Sequence, residues 1–390
     1  MSLQSSVFFF FLLASLVDTM AVTSSSSSSS SVSRVAIVGA GPGGLALANA
    51  LRTLNTGVKD IYVYDGRADI SSTAVGGGVQ LSGGAKVLEH LHLLPEIEAV
   101  AERLTRVRGR NVRRETLLDI DLNQACLQSK EREALLSREG KNPLLFSIMR
   151  SSLQEILLKA AKNPMSGSSS SSASIKIIPN TNIAAIAKAS NQKYSLTLKD
   201  GSLAASDFDM VFGCDGVNSI VRDFIQAGGK YASSSSSSFS PSFLEKRSYS
   251  PGYSGLRVGY VLTKVDKKFA LRPEGRGAFH QWFGDGIYAL EASYGSLEGP
   301  IHMLAIVFKD DADAALGENP EWVTTSLLEQ FQRRLARGGL NKVAEIQTLM
   351  AAADGNRCIE IGVRESLFPL PTWSSKDGRV LLMGDAAHAM

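Results

Sequence analysis

Four short segments carry residue types that together can hold a phosphorylated ligand. They are Gly39-Ala40-Gly41-Pro42-Gly43-Gly44; the acid Asp65; Gly213-Cys214-Asp215-Gly216 with Ser219 and Arg222; and Gly384-Asp385-Ala386-Ala387-His388. In the first, Gly39 permits a tight turn, Gly41 lets backbone approach a pyrophosphate, and Gly44 lets a helix pack on a strand. A helix starting there offers free N–H groups and a partial positive charge to phosphates. Asp65, about 20 residues further on, is placed to accept hydrogen bonds from a ribose diol.

The elements needed to position these residues are legible around them. Arg34-Val35-Ala36-Ile37-Val38 is apolar and β-branched, which predicts a buried parallel strand ending at Gly39. Residues 45–54, rich in Ala and Leu, predict the following helix, and Ile61-Tyr62-Val63-Tyr64 the next strand, closed by Asp65. Further along, residues 147–161 read as a helix. Residues 175–178, 183–188, 194–198, 210–212 and 379–383 read as strands, with Lys199-Asp200-Gly201 as a hairpin turn. Residues 254–262, 278–283, 287–293 and 302–308 predict an antiparallel sheet in a second layer, and residues 320–337 an amphipathic helix. No internal repeat is visible.

Composition sets the outer bounds. The 390 residues are enough for one large or two intertwined domains, with 44% hydrophobic and 20% charged residues, as in globular proteins. A net charge of +3 implies no nucleic-acid partner. The densest basic patch, Arg103, Arg106, Arg108, Arg110, Arg113 and Arg114, reads as a solvated strand or loop face. Contact with a nicotinamide cofactor's phosphate is the alternative. Cys126, Cys214 and Cys358 are far apart and odd in number, and the five histidines show no ligand spacing, so neither a disulfide framework nor a metal site is expected.

The N-terminus reads as a separate leader. Its apolar run at residues 7–17 is too short to span a bilayer and resembles a signal-peptide core, with Thr19-Met20-Ala21 as a cleavage site. This predicts the secretory route or an organelle, including a plastid. A mis-set start codon would instead leave the protein cytoplasmic. Serine tracts at 24–31, 168–172 and 233–238 read as polar segments outside any core.

The motifs together resemble the FAD-dependent monooxygenases of the para-hydroxybenzoate hydroxylase type, and within them the salicylate hydroxylase and zeaxanthin epoxidase branch. The resemblance covers residues 34–390. Besides the segments above, it rests on Gly76-Gly77-Gly78-Val79-Gln80-Leu81-Ser82, Arg150-Ser151-Ser152-Leu153 and Gly378-Arg379-Val380-Leu381-Leu382-Met383. It implies an α/β fold: a Rossmann-like FAD-binding domain, with a parallel sheet and a β-meander, interleaved with an antiparallel-sheet substrate domain. The implied division is a leader at 1–31, FAD-binding parts at 32–110, 147–228 and 371–390, substrate segments at 111–146 and 246–370, and a serine-rich insertion at 229–245.

The resemblance also implies cofactor-binding roles for Gly39, Gly41, Gly44, Asp65, Arg67, Arg150, Asp215, Gly216, Gly384 and Asp385. His388 reads as a helix-packing residue, with a catalytic role as the alternative. The implied reaction uses NADH or NADPH, FAD and molecular oxygen to hydroxylate or epoxidise an aromatic or isoprenoid small molecule through a flavin C4a-hydroperoxide. No catalytic side chain is assigned. Trp282, Phe283, Tyr288 and Phe308 are candidates to line the substrate, or else plain core. The family continues past the equivalent of His388 with a proline, a glycine-rich loop and a long helix. Against that pattern the chain reads as cut short, with activity requiring residues beyond Met390. A flavin reductase of the geranylgeranyl reductase type and a non-catalytic fragment are the alternative readings.

Overall fold

The structure, a computed structural model, describes residues 32–54, 56–71, 77–138, 140, 142–163, 173–229, 250–264, 277–310, 327–353, 355–366 and 369–389. The leader, the serine tracts, Gly76, Met390 and most of the expected insertion lie outside the described residues.

In chain order the strands and helices begin β1 Arg34–Val38, α1 Pro42–Thr53, β2 Asp60–Tyr64, β3 Gly78–Leu81, α2 Gly83–His90, α3 Leu94–Val100, β4 Glu102–Arg103, β5 Arg106–Asn111 and β6 Thr116–Asp121. They continue with α4 Leu122–Gln128, α5 Arg132–Leu135, β7 Phe146–Met149, α6 Arg150–Lys162, β8 Ser174–Ile178, β9 Ile183–Lys188, β10 Tyr194–Leu198, β11 Leu203–Phe208, β12 Met210–Gly213 and α7 Ile220–Gln226. The remainder are β13 Gly252–Lys264, β14 Ala278–Phe283, β15 Ile287–Tyr294, β16 Ile301–Lys309, α8 Leu328–Arg337, α9 Ala344–Ala351, β17 Cys358–Glu365, β18 Val380–Leu382 and α10 Asp385–His388.

Contacts divide the chain into two compact units, each discontinuous in sequence. One comprises Ala74–Leu153 and Gly255–Gly362, together with Met1–Ser27; the other comprises Ser28–Thr73, Gln154–Ser254 and Val363–Met390. This division differs from the expected one: residues 74–110 group with the antiparallel sheet. The reason is pairing, since β5 runs parallel to β14 and antiparallel to β6.

The unit that contains β1 is built on a parallel sheet of order β18-β12-β1-β2-β8, with a separate antiparallel meander β11-β10-β9. Four of the five β1 residues are buried, which is why the strand is continuously apolar instead of alternating. β10 buries Tyr194 and Leu196 on one face, and these join Ala36, Val38, Phe208, Val211, Phe224 and Leu382 in one core. Each Val, Leu or Phe side chain among them contributes about 1.5–3 kcal/mol on burial. α1 starts with Pro42 and buries Leu45, Ala48 and Asn49, a helical spacing that turns one face inward. Asn49 donates to the carbonyls of Leu45 (2.9 Å) and Leu157 (3.0 Å), and Arg52 donates to Ala160 (2.6 Å) and Ala161 (3.1 Å). The last three of these bonds fasten α1 to α6, and Arg52 places a cation at the C-terminal end of α6, where the helix dipole favours one.

The other unit carries a seven-stranded sheet of order β17-β13-β16-β15-β14-β5-β6 and a three-stranded sheet β3-β7-β4. Within the larger sheet β14 and β5 run parallel, while β13–β16, β16–β15, β15–β14 and β5–β6 are antiparallel. β16 buries residues of both parities, because apolar clusters lie on both faces. Trp282 and Phe308 belong to the cluster that α8 and α9 cover, so these two candidates are core residues. Phe283 and Tyr288 form a tilted pair 5.2 Å apart.

Two elements differ from the sequence expectation, and a third is described only in part. Residues 147–149, expected at the start of a helix, form β7, fully buried and paired with β3 and β4. The helix begins only at Arg150. β11, which has the weakly strand-forming sequence LAASDF, is held by pairing with β10 after the turn at Gly201, whose φ is +81°. Of the helix expected at 320–337, the described part is α8, and residues 320–326 lie outside the described residues.

Candidate functional site

The sequence motifs of the β1-containing unit meet at one edge of its parallel sheet. β1 pairs with β2 on one side and β12 on the other, with Val38 opposite both Tyr64 and Gly213. The chain leaves β1 through α1 toward β2, while β12 lies on the opposite flank. Strand order therefore reverses at β1, the position at which open α/β sheets bind ligands beyond their carboxyl ends.

The glycines of the first turn have two kinds of surroundings. A Cβ on Gly39 would come within 2.2 Å of the Cys214 carbonyl oxygen, and its φ is +105°. A Cβ on Gly44 would stand 2.0 Å from the Gly39 carbonyl oxygen. These two let β1, α1 and the loop after β12 close on one another. Gly41 and Gly43 differ, with nothing within 4 Å of an added Cβ. Gly41 is the N-cap of α1 in extended conformation, and no side chain caps the helix. The helix N-terminus thus opens onto free space at Gly41 and Gly43, in a turn whose side chains are those of Ala40 and Pro42.

Asp65 follows β2. Its Oδ2 accepts the Ala40 N–H at 2.8 Å and Arg67 Nη2 at 2.9 Å, and its Oδ1 accepts the Arg67 N–H and Nε, both at 2.9 Å. Where the sequence reading expects an acceptor for ribose hydroxyls, the carboxylate is buried and each oxygen already has two donors. Burial alone would raise its pKa. The Arg67 side chain, the Arg67 and Ala40 N–H groups and the Arg67 charge outweigh that, leaving it below the ordinary value. Arg67, with 38% of its side chain exposed, is the outward-facing member of the pair.

Gln154 on α6 was missed in the sequence. Its Nε2 donates to the carbonyls of Ala40 (3.1 Å) and Ile70 (2.7 Å), joining the turn after β1 to the segment after β2. The one available signal was its place in the Arg150 helix, which by itself names no partner.

The second loop follows β12. Asp215 Oδ2 accepts the Ile220 N–H at 2.8 Å, and Ser219 Oγ accepts the Arg222 N–H at 3.0 Å, so the pair caps α7. Gly216 takes a φ of +76°. Asp215 Oδ1 is buried and has no hydrogen-bond partner among the described residues. Burial pushes the Asp215 carboxyl up, against hydrogen bonds from Ser219 and the backbone. Burial, then the Asp215 charge, pushes the Cys214 thiol up to about 12.

The third segment joins the second. Met383 N–H donates to the Gly213 carbonyl at 2.9 Å, and buried Arg222 donates to Val217 (2.7 Å) and Ala386 (3.2 Å) carbonyls. Gly384 has a φ of +61°, and Asp385 is exposed at the start of α10. His388 lies against Trp373 with centroids 5.4 Å apart. Arg150 falls in the other unit. Its N–H donates to Gly77 at 3.3 Å, and its charge opposes the burial that raises the Tyr260 phenol. The structure therefore brings together Gly39, Gly41, Gly44, Asp65 and Arg67 with Asp215, Gly216, Gly384 and Asp385 on one unit, and leaves Arg150 on the other.

Among the described residues no group of three or more His, Cys, Asp or Glu is arranged to hold a metal ion, and no helix is long and apolar enough to cross a membrane.

No protein-family model matches the sequence, and no curated protein matches it. Solved structures do match. The chain is similar to a variant of HpxO from Klebsiella pneumoniae complexed with FAD, at 20% identity and a TM-score of 0.64, over 92% of this chain and 75% of that one. It is similar to a candidate FAD-containing monooxygenase from Photorhabdus luminescens, at 20% identity and a TM-score of 0.64, over 92% of this chain and 82% of that one. A variant of PqsL from Pseudomonas aeruginosa matches at 18% identity and a TM-score of 0.62, over 92% of this chain and 80% of that one. The chain thus has the mixed α/β fold on which FAD-binding proteins of this kind are built.

Proposed function

We propose that the protein is an FAD-dependent monooxygenase of the para-hydroxybenzoate hydroxylase type, in the salicylate hydroxylase and zeaxanthin epoxidase branch. Its reductant is NADH or NADPH, and its substrate is a small aromatic or isoprenoid molecule. The observation that carries this reading is the contrast within the first turn. Gly39 and Gly44 are closed by backbone, while Gly41 and Gly43 face open space at an uncapped helix N-terminus. That is the shape a pyrophosphate needs, because it must meet N–H groups without side chains between.

The residues fit the group. The Gly41–Gly44 turn would hold the phosphates, with Asp65 and Arg67 beside the adenosine end. Exposed Asp385 would face hydroxyl or N–H donors of the same ligand, while Asp215, with one oxygen on the Ile220 N–H, would hold the loop after β12. The chemistry FAD supplies when bound is acceptance of a hydride and transfer of one oxygen atom from dioxygen to substrate, the other leaving as water. The chain's own share is binding, orientation and exclusion of water.

The test is Gly41→Val. Because nothing lies within 4 Å of that position, the variant is expected to fold while its side chain fills the phosphate space. Purified wild type is expected to carry flavin absorbance and to consume oxygen with NAD(P)H and substrate; Gly41→Val is expected to be colourless, with the melting temperature of wild type stripped of its flavin. Full flavin content in the variant would overturn the loop assignment. Flavin reduction without oxygen insertion would turn the reading to a reductase.

A further inference from the structure

Ala40 lies between Gly39 and Gly41, is fully buried, and is gripped through both of its peptide groups. Its N–H goes to Asp65 Oδ2 at 2.8 Å. Its carbonyl takes Gln154 Nε2 at 3.1 Å and, more weakly, Arg67 Nη2 at 3.3 Å. Gln154 is itself 0% exposed, and its second amide hydrogen is committed to the Ile70 carbonyl at 2.7 Å. The orientation of that amide is forced. Exchanging its oxygen and nitrogen would set an acceptor against two carbonyls.

Gln154 Oε1 has no partner among the described residues. A buried amide with an orphaned oxygen is unfavourable for folding, so stability alone does not account for a glutamine here. The geometry it imposes does. The Ala40 carbonyl and the Gly41 N–H belong to one planar trans peptide and point in opposite directions. A donor that holds the carbonyl on one side aims the Gly41 N–H to the other. The base of this grip is firm, since Asn49 and Arg52 bind α6 to α1 through three α6 carbonyls, those of Leu157, Ala160 and Ala161.

We propose that Gln154 is a positioning residue for dinucleotide binding. It acts through the Ala40–Gly41 peptide to aim the Gly41 N–H at the phosphates, and Asp65 is the second half of the same clamp. The proposal rests on the FAD reading of this turn, and it gives Asp65 a loop-holding role in addition to its place at the end of β2.

The test uses Gln154→Met, which keeps length and volume and removes both donors, with titration of FAD and of ADP. Both ligands are expected to bind about tenfold more weakly, the scale of one lost hydrogen bond, and the ligand-free protein, which loses the donor to the Ile70 carbonyl, is expected to melt at a lower temperature but to stay folded at the temperature of the titration. In a double-mutant cycle with Asp65→Asn, the combined loss is expected to be smaller than the product of the single losses, because both residues act on Ala40. Should Gln154→Met fail to fold, Gln154→Asn, which keeps the donors on a shorter arm, is read by the same titrations. Wild-type affinity for FAD in the folded variant, or strictly multiplicative losses in the cycle, would overturn the proposal alone. A wild-type protein that binds neither FAD nor ADP would overturn the FAD reading and the proposal with it.

Discussion

The two units use their buried polar groups differently. In the unit with the parallel sheet, Asp65, Asn49, Gln154, Asp209, Ser219 and Arg222 all bond to backbone. Asp209, for example, accepts the N–H groups of Ser33 and Arg34, both at 2.9 Å, at the entry to β1. In the unit with the seven-stranded sheet, buried polar groups mostly meet one another. Arg257 bonds Asp310 at 2.9 Å and Glu360 at 3.2 Å, Arg110 meets His280 at 3.1 Å, and His302 meets Ser293 at 3.2 Å. A regular sheet satisfies its own backbone, so its side chains are left to tie neighbouring strands. The irregular turns after β1, β2 and β12 cannot do so, and buried side chains hold their shape.

The strongest way to break this contrast is at a closed glycine. Gly44→Ala places a Cβ 2.0 Å from the Gly39 carbonyl, which is backbone and cannot swing aside. A loss of about 3 kcal/mol or more is expected, measured by urea unfolding. A loss below about 1 kcal/mol would mean that the turn adapts and is not held as described.

The matching change in the other unit is Gly78→Ala, which meets the ring of fully buried Tyr294 at 1.9 Å. About 2–3 kcal/mol is expected, slightly less because a ring can shift where backbone cannot. Equal or greater loss than for Gly44→Ala would reverse the ranking of the two regions.

Asp65→Asn sharpens the comparison through pH. The folded pKa of Asp65 is depressed, so its contribution is present above the unfolded value near 3.8 and is lost as pH falls through the folded value. The variant is expected to be less stable than wild type at neutral pH, with the gap closing on acidification below about pH 4. Urea midpoints across that range check it, and a gap that stays constant with pH would refute the ion pair's part.

The smallest effect is expected at Gly43→Ala, where the added Cβ meets nothing within 4 Å. Stability should change by no more than about 0.5 kcal/mol, with a slight gain because alanine favours a helix. A loss as large as that of Gly44→Ala would erase the distinction between open and closed glycines.

What the sequence by itself determined lies close together along the chain. The register of strand, glycine turn, helix and strand from Arg34 to Asp65 follows from β-branched residues, glycine freedom and helix-forming alanines, all local properties. The strands at 183–188, 194–198 and 278–283 were legible for the same reason, as alternation or apolar runs between turns. Tertiary structure decided the rest. Only packing against β3 and β4 makes residues 146–149 a strand. Only the return of Arg67 and Ala40 onto Asp65 fills its carboxylate. Gln154 reaches Ala40 across 114 positions of chain, and no local pattern can state which distant carbonyl a buried amide will find. Burial favours a partner for a polar group, but the fold alone decides which one it finds, and it leaves Gln154 Oε1 without one among the described residues.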